Sequence, residues 1–386
     1  MILVFSNIIA PYRVGLFNKL HERLGKNVKF YFDRENESNR KWQLEKDKIN
    51  FDYEIANSPF ISILSDSANK SKLQRFIYFP FHIFRIIYGE KPEVVLTNEF
   101  GFRTLFSLVA GKSVGAKIFV LSEVTPQSES NVSTFKLLFR KLLVRFLDGG
   151  IAFGKKSFEY LLNLGFEKHN AIISPDAIDN NSFSDSAKNI TKKNAREKLG
   201  LDQEKYVFLY VGQFIQRKGL DLYVKAIEEL TVRKGRKDIL FLFVGGNKND
   251  FIKVIGKEPE HSDNFKIFDF VNAEELVYFY KASDCLVFPT RNDVWGLVVN
   301  EAIACGLPVA VSKYAGCADD LIENKFNGLV FDPYDKNSFL ETLEFCIENQ
   351  SKMKEMAAKA EGKLAYFNHN VAAEAIVDFI KNHRKQ

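Results

Sequence analysis

The sequence predicts an α/β protein made of two Rossmann-like, doubly wound parallel-sheet domains that face a central cleft. Three observations carry this. Short apolar runs alternate with helix-length amphipathic segments along the chain, the pattern of a parallel sheet flanked by helices. A length of 386 residues exceeds what one ordinary core organises, so two domains are expected. A polar stretch near the middle separates two sets of apolar runs.

In the first half the strand candidates are residues 2–5, 28–32, 93–97, 117–121, 150–153 and 172–173. In the second half they are 206–211, 240–244, 265–268, 285–288, 308–311 and 328–330. Such short apolar runs between turn signals suit strands buried on both faces. The stretch "DNNSFSDSAKNITKKNAREKLG" has few large apolar residues and places a linker near residues 178–195. Domains are therefore expected over 1–180 and 195–365. The last segment, 366–386, contains "NHNVAAEAIVDFIKNHRKQ", an amphipathic helix expected to pack back on the N-terminal domain. Its basic residues sit at the C-terminal end, where they suit the helix dipole. In open sheets of this kind, ligands bind outside the carboxyl ends of the strands.

Composition narrows the class. A hydrophobic fraction of 46% and a charged fraction of 27% describe a soluble globular protein. The 37 Phe point to some aromatic surface used in binding. A net charge of +5 permits anionic partners, but the sequence has no basic tail or aromatic-basic repeat, which argues against nucleic acid. Cys285, Cys305, Cys317 and Cys346 form no CxxC pair and are expected as buried, reduced thiols. The opening "MILVFSNIIAPYRV" lacks a basic n-region and a cleavage site, so it is expected to be a first strand and not a signal peptide. No apolar segment reaches the roughly 18 residues that span a bilayer, and a cytoplasmic location is expected.

Two loops at strand ends carry candidate chemistry. In "PTRNDVWGLVVNEAIACGLPVAV", residues 289–311, a buried strand ends in Pro, and a helix begins near Gly296 and closes at Gly306. Asp293 falls in the strand-to-helix loop, and Glu301 lies about a turn and a half into the helix. Gly296 lets backbone approach a ligand closely, and the first amides of the helix, from Gly296 through Leu297 to Val298, favour an anion. Amides for phosphate, flanked by two acceptors for hydroxyls, match the layout of a sugar attached to a nucleoside diphosphate. Each acid alone also fits an ordinary role, Asp293 as a helix-dipole partner and Glu301 as a solvated helix residue. In "YVFLYVGQFIQRKGLDLYVKAI", a buried strand passes through Gly212 into a helix starting near Gly219. Lys218 sits just before that start, where an ammonium can meet a phosphate, although a lone "RKG" also fits a surface turn.

Together, "VGQFIQRKGLDLYVKAI", "VFPTRNDVWGLVVNEAIACGLPVAVS" and "FKIFDFVNAEELVYFYKASD" resemble the C-terminal domain of retaining glycosyltransferases of the GT-B fold, family four. The order and spacing match over roughly residues 205–335. "SNIIAPYRVGLFNKL" resembles the opening of a bacterial subgroup that builds surface polysaccharides, and "SPDAIDNNSF" resembles the family's hinge. The resemblance implies an N-terminal acceptor-side domain and a C-terminal donor domain. It implies that Glu301 binds the donor's ribose, that Asp293 contacts the donor sugar, and that amides near Trp295 to Val298 hold sugar and phosphate. Lys218 matches the lysine on the pyrophosphate, and Arg13 and Gly15 match the first strand-to-helix loop that closes over it.

The chain departs from the family pattern at several positions. Asp293 stands where Glu is usual, Gln213 where Arg is usual, Asp269 where Gly is expected, and Glu123 where many relatives carry His. With Gln213 uncharged, Lys218 and Arg13 would bear more of the phosphate neutralisation. The resemblance favours same-face attack by the acceptor, the leaving phosphate helping to take its proton. Glu123 and Glu99 are candidate acceptor contacts or bases, and ordinary loop acids otherwise. No D-x-D pair and no zinc-type spacing occurs, so no metal or other cofactor is expected beyond the nucleotide-sugar donor substrate.

The expected function is transfer of a sugar from a nucleotide donor to a glycan acceptor, in lipopolysaccharide, O-antigen or capsule synthesis. A nucleotide-sugar-binding protein without turnover stays open because of Gln213. A dinucleotide-dependent oxidoreductase is disfavoured, since no G-x-G-x-x-G follows a strand with an acid some 20 residues on. In "TFKLLFRKLLVRFL", residues 134–147, helical spacing puts Phe135, Leu138, Phe139, Leu142, Leu143 and Phe146 on one face, with Lys136, Arg140, Lys141 and Arg145 off it. That suits either a helix resting on anionic lipid or one packed on the first sheet. "LQRFIYFPFHIFRIIYG" is aromatic and basic too, so peripheral attachment to the inner face of the cell membrane and a lipid-linked acceptor are both considered.

Overall fold

In the computed structural model, which describes residues 1–38, 44–66, 72–233, 235–236, 238–258 and 264–384, the apolar runs become two parallel sheets, one in each of two units. The first unit comprises Met1–Ala177 and Phe367–Gln386, the second Ile178–Tyr366.

The first unit holds β1 (Ile2–Ile8), β2 (Val28–Arg34), β3 (Tyr53–Ile55), β4 (Phe60–Asp66), β5 (Lys72–Tyr78), β6 (Val94–Asn98), β7 (Lys117–Ser122), β8 (Gly149–Ala152) and β9 (Ala171–Ile173). Its helices are α1 (Pro11–Leu24), α2 (His82–Glu90), α3 (Phe102–Ser113), α4 (Thr134–Val144) and α5 (Lys155–Leu164). Seven strands form a sheet in the order β3-β2-β1-β6-β7-β8-β9, and β4 and β5 form a separate antiparallel pair. The strand order reverses between β1 and β6, which pair in parallel with Ile2 opposite Val94. Side chains of β1, β6 and β7 are buried on both faces of the sheet, in two apolar clusters.

The second unit holds β10 (Tyr206–Val211), β11 (Ile239–Val244), β12 (Phe265–Phe268), β13 (Cys285–Phe288), β14 (Val309–Ser312) and β15 (Leu329–Phe331). Its helices are α6 (Asn180–Lys188), α7 (Lys192–Lys198), α8 (Leu220–Glu228), α9 (Lys248–Ile255), α10 (Ala273–Ala282), α11 (Leu297–Ala304), α12 (Ala318–Leu321), α13 (Lys336–Glu348) and α14 (Gln350–Glu361). The sheet runs β12-β11-β10-β13-β14-β15 and is parallel throughout. Its order reverses between β10 and β13, so the two motif-bearing loops leave adjacent strands at the switch point. The last helix, α15 (His369–Arg384), belongs to the first unit. There Ala372, Ala373, Ile376 and Ile380 join the cluster formed by Ile2, Val4, Phe17 and Phe30.

Three expectations change. The polar stretch near 178–195 is not an open linker. Asp179 caps α6 by accepting from the Ser182 amide, and Thr191 caps α7 by accepting from the Asn194 amide. Capping side chains made the stretch polar without making it unstructured. Second, Arg13 and Gly15 lie inside the first two turns of α1, which begins at Pro11, and not in a loop. Proline fits the first helical position because its missing N–H has no intrahelical role there. Third, the apolar residues of α4 divide between two faces. Leu143 is buried and Leu137 and Phe139 pack on the core, whereas Phe135, Leu138, Leu142 and Phe146 are exposed. All four cysteines are buried and none is in a disulfide among the described residues.

Gly15 is needed for packing: a Cβ there would lie 2.3 Å from the His369 ring. Gly15→Ala is expected to destabilise the protein by about 1 kcal/mol in urea unfolding, overpacking outweighing the helix-propensity gain. In a His369→Ala background the same substitution should become stabilising. An unchanged sign in both backgrounds would show that the ring is not what excludes the methyl.

Candidate functional site

The site on the second unit is built by two loops pressed backbone to backbone. The loop after β10 passes Gln213, enters a short 3₁₀ turn at Gln216–Lys218, and turns into α8 through Gly219 at φ 74°. The loop after β13 carries Pro289 to Gly296. A Cβ on Gly219 would sit 1.9 Å from the Pro289 carbonyl oxygen, so only glycine permits this approach. The Arg217 carbonyl accepts from the Arg291 amide at 2.9 Å and from the Thr290 hydroxyl at 3.1 Å. Arg291 in turn clamps Asp221, at the start of α8, through both guanidinium nitrogens at 2.6 and 2.8 Å.

These bonds bring Lys218 onto Asp293. The ammonium pairs with Oδ2, while Arg217 Nη1 reaches Oδ1 at 3.4 Å and the Asn292 carbonyl at 3.0 Å. Burial opposes the charge on Asp293, but Lys218 and Arg217 outweigh it and hold the carboxyl below its ordinary value. The backbone of Asp293 is also fixed, its carbonyl accepting from the Gly316 amide at 2.9 Å. Asp293 is therefore a rigid acceptor flanked by two cations. Gln213 is exposed where β10 ends, and its carbonyl accepts from the Tyr210 hydroxyl at 3.0 Å.

Helix α11 begins beside this pair. Gly296 takes φ 111°, and a Cβ there would lie 2.6 Å from the Phe288 ring. The amides of Gly296, Leu297 and Val298 open the first turn, and that of Val299 bonds the Gly296 carbonyl at 2.9 Å. The start of such a helix favours an anion. Trp295 is buried, its indole N–H donating to Asn300 Oδ1 at 2.9 Å, so its ring serves the core and its backbone lines the loop. Glu301 projects one turn further on and accepts from the Tyr280 hydroxyl at 2.6 Å. Burial pushes its carboxyl up to about 7, although the Tyr280 bond acts the other way. Asp293 and Glu301 are thus opposites, one pinned by cations and the other held, among the described residues, by a neutral hydroxyl alone.

On the first unit, Glu123 follows β7 and receives Arg13 through Nε at 3.1 Å and also through Nη2. Arg13 Nη1 donates to Asp176 Oδ1 at 3.1 Å, and the guanidinium carbon lies 3.5 Å from the centre of the Phe153 ring. Burial pushes the Asp176 carboxyl up, Arg13 pulls it down, and Glu123 adds to the upward push; the net direction is up. Glu99, exposed just past β6, takes φ 66°.

Sequence reasoning gave Arg217, part of the quoted "RKG", no role of its own and passed over Tyr280, Asp221 and Asp176. Tyr280 stands in the quoted "FKIFDFVNAEELVYFYKASD" segment, but its pairing with Glu301 joins two helices on either side of β13. No local spacing encodes such a contact.

The low Asp293 value implies a contribution to stability that is present above about pH 4 and lost as acid protonates the carboxylate. Lys218→Met should lower the unfolding free energy by about 3 kcal/mol at neutral pH, because a buried carboxylate loses its main partner. The loss should shrink on acidification in urea titrations, and a loss independent of pH would contradict the pairing.

Comparison with known proteins matches residues 191–363 to the family described as glycosyl transferases group 1. A D-inositol 3-phosphate glycosyltransferase of Corynebacterium jeikeium is 26% identical over 210 residues, 53% of this chain and 50% of that protein. The chain spans about half the length of the curated relatives it matches. Among solved structures, a glycosyltransferase of Rickettsia africae superposes with a TM-score of 0.75 at 17% identity, covering 100% of this chain and 99% of the other. Anabaena HepE in complex with UDP superposes with a TM-score of 0.74 at 16% identity, covering 99% of each chain. Residues 191–363 are thus similar to the group 1 glycosyl transferases, and the chain has the GT-B fold of these neighbours.

Proposed function

We propose that the protein is a retaining glycosyltransferase that moves a hexose from a nucleoside-diphosphate sugar to a glycan acceptor in cell-surface polysaccharide synthesis. The observation that carries this is the Lys218–Asp293–Arg217 arrangement at the opening turn of α11, with Glu301 one turn on. Lys218, Arg217 and the amides of Gly296 to Val298 supply positive charge for a diphosphate. Asp293 accepts from a hydroxyl of the donor sugar, and Glu301 from the ribose. Anabaena HepE, of the same fold, is known with UDP and with UDP-glucose, which supports a nucleotide-sugar donor. The resemblance of the N-terminal "SNIIAPYRVGLFNKL" to a polysaccharide-building subgroup supports the pathway class and an acceptor held at the inner membrane face.

In this reading the bond between the sugar's anomeric carbon and the phosphate oxygen breaks, and the acceptor hydroxyl bonds the same face of that carbon. The acceptor's proton passes to the departing phosphate oxygen. Charge grows on the diphosphate, where fixed cations and amides are worth most. The negative charge is met by side chains and amides, so transfer proceeds without a bound metal. Activity should persist in excess chelator, and a loss restored by Mg²⁺ or Mn²⁺ would overturn this.

Glu301 sets a pH dependence. Its carboxyl accepts from a ribose hydroxyl best when ionised, and its value near 7 means that donor affinity should rise between about pH 6 and pH 8. In the ligand-free protein the sign is opposite. A raised carboxyl favours the folded state below about pH 4, and that contribution is lost as pH rises through 7. Calorimetric titration with UDP-, GDP- and ADP-sugars should show the rise for the wild type and a weak, flat profile for Glu301→Gln. A donor bound equally by both across this range would remove Glu301 from the site.

A further inference from the structure

We propose that α4 is a docking surface for anionic lipid, which places the first unit on a membrane. The helix has two apolar faces, and the fold uses one. Leu137, Phe139, Leu143 and Val144 serve the cluster beneath the sheet. Phe135, Leu138, Leu142 and Phe146 point outward with 81%, 60%, 51% and 58% of their surface exposed. Their spacing of three, four and four residues puts them on one stripe along the helix and its closing turn. Four large apolar side chains in a row, in water, are not what a packed surface helix shows.

Charge identifies the occupant. Lys136 flanks the stripe on one side and Lys141 and Arg145 on the other, and residues 134–147 contain no acid. Among the described residues Lys141 and Arg145 enter no ion pair, and both are exposed. A second copy of the chain docking here about a two-fold axis would set these cations against themselves. An anionic bilayer surface instead takes the apolar stripe into its headgroup boundary and meets the cations with its own charge. The same helical layer exposes Phe81, Tyr88, Phe102 and Val109, from the start of α2, from α2 itself and from α3. The inference deepens the membrane side of the proposed function, but it rests on α4 alone and needs no donor to test.

The test is sedimentation of the full-length chain with phosphatidylcholine vesicles, with and without phosphatidylglycerol, in the absence of any sugar nucleotide. The wild type should bind the anionic vesicles and not the neutral ones, more weakly as salt rises. Leu138→Ser combined with Leu142→Ser, and separately Lys141→Glu combined with Arg145→Glu, should each weaken binding on the order of tenfold or more. The unfolding midpoint should be unchanged, since these side chains are exposed. No binding to anionic vesicles at low salt would overturn the proposal, as would binding that survives both pairs of substitutions. A dimer in sedimentation equilibrium that Leu138→Ser dissolves would overturn it in favour of a second copy. Loss of transfer with vesicle binding intact would instead count against the catalytic reading.

Discussion

The second unit depends on a single buried carboxylate that must not be left alone. Asp293 sits at the switch point of the sheet, where removing an ionised carboxylate from water is expensive unless it is paired. Lys218 and Arg217 come from the neighbouring strand's loop, so the pairing also fixes how the two loops meet. Around it, Gly219 yields space to the Pro289 carbonyl, and Arg291 ties its loop to Asp221. A change at any of these positions is felt at the carboxylate. The arrangement holds two cations inward at the carboxyl ends of the sheet's central strands, where the fold would otherwise let long basic side chains swing into solvent.

That constraint explains the contrast between the two acids. Asp293 gains its charge from partners within the chain and keeps it at any ordinary pH. Among the described residues Glu301 pairs with no cation, only with the Tyr280 hydroxyl, and burial raises its carboxyl. Two carboxylates on one helix-and-loop unit, separated by environment, can take different tasks. One is a permanent acceptor that balances bound cations, and the other is an acceptor whose strength follows the proton concentration. In the proposed function this difference falls between the sugar end and the nucleoside end of one donor.

Much of this was legible in the sequence because parallel strands buried on both faces leave unbroken apolar runs. "YVFLYV" is β10 residue for residue, and all six of its side chains are buried. The positions of Asp293, Lys218, Gly296 and Glu301 followed from where those runs stop. What failed to show has physical reasons as well. The β4–β5 pair lies outside both parallel sheets, and its aromatic residues merged with those of α2 in one continuous stretch. Helices α6 and α7 are short, and their polar caps resembled a linker, although Phe183 lies against Tyr280 at 6.5 Å between ring centres. In α4, a single moment could not separate a face that packs from a face that does not. Pairings such as Tyr280 with Glu301, or Arg13 with Asp176, are made by the fold and have no local signature.

The Arg13 cluster limits what the first unit can do for an anion. One guanidinium there serves two carboxylates, Glu123 and Asp176, and its carbon lies 3.5 Å from the centre of the Phe153 ring. With both acids ionised the cluster carries a net negative charge, and a phosphate approaching Arg13 would meet repulsion from both. Two changes remove it: Glu123, whose side chain is partly exposed, can swing away, or Asp176 can hold a proton. Asp176 is suited to the second, since burial and the nearby Glu123 both raise its carboxyl against the pull of Arg13. Arg13 is then free to share its charge without leaving a buried anion unpaired. A phosphate contact at Arg13 is therefore conditional on a proton or a side-chain movement, whereas Lys218 and Arg217 already stand beside the opening turn of α11. In the proposed function, the direct electrostatic work of holding a diphosphate would accordingly fall to the second unit.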